Sequence, residues 1–223
     1  CIGECDLEPF TAGCSALGVG SGQFSGKIIE TVTAVLAQAL SDDALEHASD
    51  FYASDLGQRL VAAENASHME EDDAAKAEAG DAILNGLRGI DSPRVDLLAR
   101  LNGASDVEES SIKALQEVQI RFLMAAAGAG VIELQMEEPD LREAMRAQEP
   151  EMRASIKENA LAGAAYTYQA FSDEEVLVYA KALEDPQMQE VYALMNAVQF
   201  EIMANRFEEV AQRLGTMQPS QDL

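Results

Sequence analysis

The chain has no tryptophan, and aromatic residues of all kinds make up 5% of it. Positive charge is scarce as well. Fifteen Lys and Arg stand against 40 Asp and Glu, and the formal net charge is -25. That balance argues against nucleic acid, since phosphate neutralisation needs clustered Lys and Arg. It argues equally against electrostatic adhesion to anionic lipid. Long apolar runs are missing too. The longest, from Phe122 to Ile132, is broken by Gly128 and Gly130. It is far short of the roughly 20 residues that cross a bilayer, so no transmembrane helix is expected. Alternating runs of β-branched and aromatic residues, the mark of strands, do not occur.

What the chain does have is helix-forming material and enough apolar residues for a core. Hydrophobic residues are 48% of it, and 37 residues are Ala. Ala is the best helix former, and Glu, Leu, Met and Gln are plentiful beside it. The expected fold is therefore all-α, a single multi-helix bundle of about eight to ten helices. Residues 1–22, rich in Gly, Ser and Cys, read as an irregular arm, 23–215 as the bundle domain and 216–223 as a flexible tail.

The chain begins with Cys1 rather than Met. That start reads as a trimmed chain or as a mature product whose signal segment is gone. All three cysteines, Cys1, Cys5 and Cys14, fall in the first fourteen residues. One reading is an exported protein with a Cys5–Cys14 disulfide, and with Cys1 as a lipidation site. The other is three thiols on a loose arm. Zinc is disfavoured, because this spacing lacks a fourth ligand nearby and His47 is far along the chain.

Helix signals then follow in series. Phe24, Ile28, Val32, Val35 and Leu36 share a face over 24–39. Ser41 before Asp42 and Asp43 predicts an N-cap, and Ser54-Asp55 predicts a second, with Leu56, Leu60 and Ala63 inward. The acidic stretch from Glu64 to Glu78 predicts a solvated face, or a docking patch for a basic partner. A short helical piece over 81–87, broken by Gly86 and Gly89, comes next. Ser92-Pro93 opens a helix that ends at Asn102-Gly103, and Ser105-Asp106 starts another. There Ile112, Leu115, Val118, Phe122 and Leu123 form an apolar stripe. The apolar segment Ala125–Ala127 predicts burial on every side. Pro139 and Pro150 mark places where a helix begins or bends. Ser172-Asp173-Glu174-Glu175 is a capping box. Asp185-Pro186 restarts the chain into a last helix, with Met188, Val191, Met195, Val198, Ile202 and Val210 inward and Gly215 closing it at C′.

The sequence also echoes itself at an offset of 131 residues. Ser41-Asp42 matches Ser172-Asp173, and the cap at Ser54-Asp55 matches Asp185-Pro186. Gln58, Ala62, Asn65, Ala66 and Glu70 match Gln189, Ala193, Asn196, Ala197 and Glu201. Two related helical hairpins in one bundle are expected.

The segment Phe51-Tyr52-Ala53-Ser54-Asp55-Leu56-Gly57-Gln58, followed by Glu64, resembles a family of all-helical, mostly exported bacterial proteins. That family is catalogued as domain of unknown function number twenty fifty-nine. The segment from Phe171-Ser172-Asp173-Glu174-Glu175 through Tyr179 to Asp185 is similar to it as well. There Pro186 and Met188 stand where the first copy has Asp55 and Gly57. The likeness runs over residues 24–215. It implies a helical bundle and a periplasmic home, and it implies no reaction.

Sites of chemistry are few. The run Gly18 to Ile28 resembles a phosphate-binding loop, but Gly20 to Gly26 is one residue too long and Ile28 stands where Ser or Thr would hold magnesium. Asp43, His47 and Asp50, and likewise Glu64, His68 and Glu71, fall at helical spacing and could bind a divalent metal. Neither set has the paired Glu-x-x-His of a di-iron bundle, so no metal and no cofactor are assigned. No nucleophile motif occurs, and no catalytic residue is assigned. Phe51, Tyr52, Tyr166, Tyr168, Tyr179 and Tyr192, and Met145, Met152, Met188, Met195 and Met203, read as core. The expected function is a non-enzymatic interaction or adaptor protein of the bacterial periplasm or cell envelope. Its partner would be an unknown protein or a second copy of itself. The alternatives are a self-assembling structural homodimer that buries a Met-rich face, and a helical hydrolase that uses carboxylates.

Overall fold

The computed structural model describes residues 34–105 and 107–217. Cys1, Cys5, Cys14, the 18–28 segment and the face Phe24, Ile28, Val32 lie outside the described residues. The described residues form nine helices and no strand. They are α1 (34–39), α2 (Asp42–Ala53), α3 (Asp55–His68), α4 (Asp73–Gly89), α5 (Arg94–Ala104), α6 (Val107–Gly128), α7 (Glu138–Thr167), α8 (Asp173–Leu183) and α9 (Pro186–Met217). The fold is all-α, as its composition requires. It divides into two compact units. Of the described residues, the first comprises those from 34 to 107 together with 158–195, and the second 108–157 with 196–217.

In the first unit the caps at Ser41, Ser54 and Ser172 form where the sequence places them, whereas α5 starts at Arg94 after Pro93, which makes no side-chain cap bond. Ser41 accepts from the Ala44 N–H at 3.3 Å, and Ser54 from the Gly57 N–H at 3.1 Å. Ser172 accepts from the Glu175 N–H while the Glu175 carboxylate accepts from the Ser172 N–H, closing the capping box. One residue, Ser54, joins α2 to α3, and its hydroxyl donates to the Phe51 carbonyl at 2.6 Å. So sharp a corner brings α3 onto the end of α2. A Cβ on Gly57 would lie 2.7 Å from the Tyr52 Cα and nearer still to the Phe51 carbonyl oxygen. The Ser-x-x-Gly motif is thus the corner itself: Ser caps, and Gly admits the preceding backbone.

The internal echo is structural. α8 and α9 begin 131 residues after α2 and α3 (173 against 42, 186 against 55). The buried positions keep this register: Ala48 with Tyr179, Tyr52 with Leu183, Gly57 with Met188, Leu60 with Val191. The two hairpins also clasp each other reciprocally. Glu190 of α9 accepts from the N–H and hydroxyl of Ser41 at the start of α2. Its counterpart in the repeat, Arg59 of α3, pairs with Glu175 at the start of α8. Each second helix holds the N-terminus of the other hairpin.

Two elements of this unit depart from the sequence reading. α4 runs unbroken from Asp73 through Gly86, capped by Asp72, whose carboxylate accepts from the Ala75 N–H at 2.9 Å. A glycine inside a helix costs about 1 kcal/mol, which a helix of this length absorbs. Gly80 is there because a Cβ would sit 2.5 Å from the Ala162 carbonyl oxygen of α7. Secondly, the stretch from Glu64 is not solvated throughout. Glu70 to Asp73 are exposed, but Glu64 is turned inward.

Arg94 anchors α5. Its side chain is 12% exposed, pairs with Asp173, and donates to the carbonyls of Tyr168 at 2.7 Å and Phe171 at 2.9 Å. A lysine carries one compact charge and no fork. Arg94→Lys is therefore expected to cost about 1–3 kcal/mol by leaving partners unmet, measurable by urea unfolding.

The second unit is built from α6, the first part of α7 and the last part of α9. Ile112, Val118, Ile120, Ala126, Leu141, Ala204 and Ala211 are buried there. α6 ends with Gly130 in the left-handed region at φ 71. The Val131 N–H bonds the Ala126 carbonyl and the Gly130 N–H the Ala127 carbonyl. This glycine closure satisfies the last carbonyls of the helix. Gly215 is not such a closure, for α9 continues to Met217. It is small because a Cβ would meet Ala129, 2.7 Å from its Cβ and 2.9 Å from its carbonyl oxygen. Three further readings change. Leu115 is exposed, Val210 is exposed, and only Ala126 of the Ala125–Ala127 segment is fully buried. α7 runs through Pro150, and Pro139 lies in its first turn.

Candidate functional site

The most unusual chemistry in the described residues is a half-buried carboxyl group turned toward the core of the first unit. On α3 the buried residues Gly57, Leu60 and Val61 define an inward face, and Glu64 falls on it one turn beyond Leu60. Glu64 Oε1 accepts from the hydroxyls of Tyr168 at 2.7 Å and Tyr179 at 2.8 Å. Tyr179 Oη lies 3.1 Å from Tyr192 Oη, which lies 2.7 Å from Tyr52 Oη. Each phenol has one hydrogen. With Tyr179 donating to Glu64, Tyr192 must donate to Tyr179 and Tyr52 to Tyr192. The chain of protons points one way, toward the carboxylate.

Each member comes from a different part of the fold. Tyr52 ends the inward row Ala44, Ala48, Tyr52 of α2. Tyr168 follows α7, Tyr179 lies on the buried face of α8, and Tyr192 is on the first turns of α9. The rings pack as well as bond. Phe51 stacks on Tyr179 at 5.7 Å, Tyr168 meets Tyr179 edge-on at 6.0 Å, and Arg59 lies 5.5 Å above the Phe171 ring. Aromatic pairs in these arrangements add to burial.

Burial raises the pKa of Tyr52, Tyr168, Tyr179 and Tyr192 above the ordinary phenol value, so all four stay neutral donors. Burial also raises Glu64 above its ordinary 4.5, against the opposing pull of the Tyr168 and Tyr179 hydrogen bonds and of His68. The arrangement can hold and exchange a proton.

The second unit has a cleft of about 440 Å³ lined by Ile120, Met124 and Ala125 together with charged residues. Its acids are spent on arginines: Glu117 and Glu138 on Arg142, Glu208 on Arg121. Arg121 holds Glu208 below the usual carboxylate range. A carboxylate hydrolase needs one acid kept protonated beside an ionised one. These arginine-paired groups do not make that pair.

The histidine sets do not converge. His47 Nε2 lies 3.8 Å from Asp185 Oδ1, while Asp43 and Asp50 face solvent. His68 bonds the backbone carbonyl of Glu64 at 2.7 Å rather than its carboxyl group. Among the described residues no group of three His, Cys, Asp or Glu is placed to hold a metal. Sequence reasoning did set the tyrosines in the core. It missed the glutamate among them, although Glu64 stands four residues after the inward Leu60.

These features define an all-helical protein of paired hairpins closed over a partly buried glutamate–tyrosine cluster. Residues 26–85 match the model of a family described as an uncharacterized protein conserved in bacteria (DUF2059). The matched stretch carries the Ser54-x-x-Gly57 corner, Tyr52 and Glu64. The three remaining tyrosines of the cluster, Tyr168, Tyr179 and Tyr192, lie outside it. Neither the curated proteins nor the solved structures give a match to this chain.

Proposed function

We propose that this chain is a non-enzymatic interaction protein of the bacterial periplasm or cell envelope, docking a protein partner through α9 in its second unit. The observation that carries this reading is an apolar row left in solvent. Phe207, Val210 and Leu214 are 44%, 48% and 42% exposed, at the three- and four-residue spacing of one helix flank. Phe207 is steadied edge-on by Phe122 at 6.1 Å, so the row presents a fixed ring. Exposed apolar stripes of this kind mark protein interfaces. Among the described helices none is long and apolar enough to cross a membrane. An envelope home rests on the resemblance described above and on the cysteines at the start of the chain.

The test is affinity capture with cross-linking from the native cell envelope, read by mass spectrometry, followed by binding measurements on the purified pair. Phe207→Asp with Leu214→Asp should weaken binding by about tenfold or more while leaving the helix content unchanged. A partner that binds the double variant as tightly as the wild type overturns the docking face. Cross-links from this row only to a second copy would replace the reading with a homodimer, which light scattering over a concentration series would show.

A further inference from the structure

Glu64 is placed as a lone carboxyl group where the two hairpins meet. The groups that face it are Tyr52 from α2, His68 from its own helix, Tyr168 after α7, Tyr179 from α8 and Tyr192 from α9. No cation is bonded to its carboxyl group among the described residues. Arg59, Lys76, Arg88, Arg94 and Arg100 are each paired with a different carboxylate. Both of its tyrosine donors bond the same oxygen. An ionised Glu64 is therefore a charge largely withdrawn from water, with hydrogen bonds but no bonded countercharge, and such withdrawal is costly.

We propose that Glu64 is a proton-controlled latch: neutral, it lets the α2–α3 and α8–α9 hairpins close on the tyrosine cluster, and ionised, it loosens them. The surface that opens carries the faces of Tyr52, Tyr179 and Tyr192. The direction with pH follows from linkage. The closed state holds the Glu64 proton at pH values where the open or unfolded chain, with an ordinary carboxyl group, has released it. Closing therefore takes up a proton in that window, and closure weakens as pH rises. Its limiting slope is about tenfold in the closing equilibrium per pH unit. The loss begins near 4.5, the ordinary value, and levels off once the buried group itself ionises. His68, one turn further along α3, opposes the shift when it carries charge and so narrows the window.

The full chain tests this. Carbon-13 NMR of labelled glutamate should place the Glu64 midpoint above 4.5. Amide protection factors in α2 and α8, corrected for intrinsic exchange, should fall with pH across that window in the wild type. In Glu64→Gln, which cannot ionise, that fall should be gone. A Glu64 midpoint at the ordinary value overturns the latch, and so does an equal fall in the variant. Should Glu64→Gln not fold, Tyr168→Phe serves instead. It removes one donor to the ionised form, so the midpoint and the protection window should both move to higher pH. An unmoved midpoint again overturns the proposal.

Discussion

Gly57→Ala is expected to lower the unfolding free energy by about 2–3 kcal/mol, although alanine is by nature the better helix residue. The new methyl group would be driven into backbone, the Phe51 carbonyl oxygen and the Tyr52 Cα, and backbone cannot swing aside as a side-chain tip can. The corner at Ser54 would have to open. That would pull α3 from α2 and move Glu64 relative to Tyr52. The control is Gly86→Ala in α4, where nothing lies within 4 Å of the added atom. There the propensity term acts alone, and a gain of about 0.5–1 kcal/mol is expected. Opposite signs for the two glycines in urea unfolding would establish the corner. Equal, positive effects would mean that α2 and α3 do not meet as described.

Tyr179→Ala should be more damaging, by about 3–5 kcal/mol, because the residue is 2% exposed, with its ring stacked on Phe51 and met edge-on by Tyr168. Tyr179→Phe separates the ring from its hydroxyl group. It keeps the packing but leaves Glu64 with one donor and Tyr192 without its acceptor. A cost of about 1–3 kcal/mol is expected for the unmet groups. Both values come from the same urea titration. A Tyr179→Phe protein as stable as the wild type would show that the hydroxyl chain contributes nothing and that packing alone closes the cluster.

The sequence carried the local part of this architecture well. Ser41, Ser54 and Ser172 cap the helices that they were expected to cap, because a cap is decided within three residues. The offset of 131 residues reappears in the helix starts, since the same local signals recur there. Where the reading failed, the deciding neighbour was distant in sequence. Gly86 was expected to break a helix, and Gly215 to end one. Both lie inside continuous helices, the second held against Ala129 of another element. Leu115 and Val210 were placed inward on the stripes of α6 and α9, and both are exposed, since helical spacing alone does not say how wide a face its neighbours cover. Arg94 drew no notice, because its partners lie more than seventy residues away.

Glu64 marks the division most clearly. Residue type and net charge assigned it to solvent, and in a chain with 40 acids that was the reasonable reading. Its position on α3, one turn beyond Leu60, was already fixed by the periodicity of a single helix. Whether that inward position could hold a carboxyl group depended on hydroxyls from Tyr168 and Tyr179, more than a hundred residues on. The sequence alone determined helix content, caps, corners and the repeat, since each of these depends on contacts within a turn or two of the chain. Only the tertiary structure could decide which polar groups enter the core. Burying such a group is favourable only when other helices bring it donors, and no local rule counts donors that arrive from elsewhere.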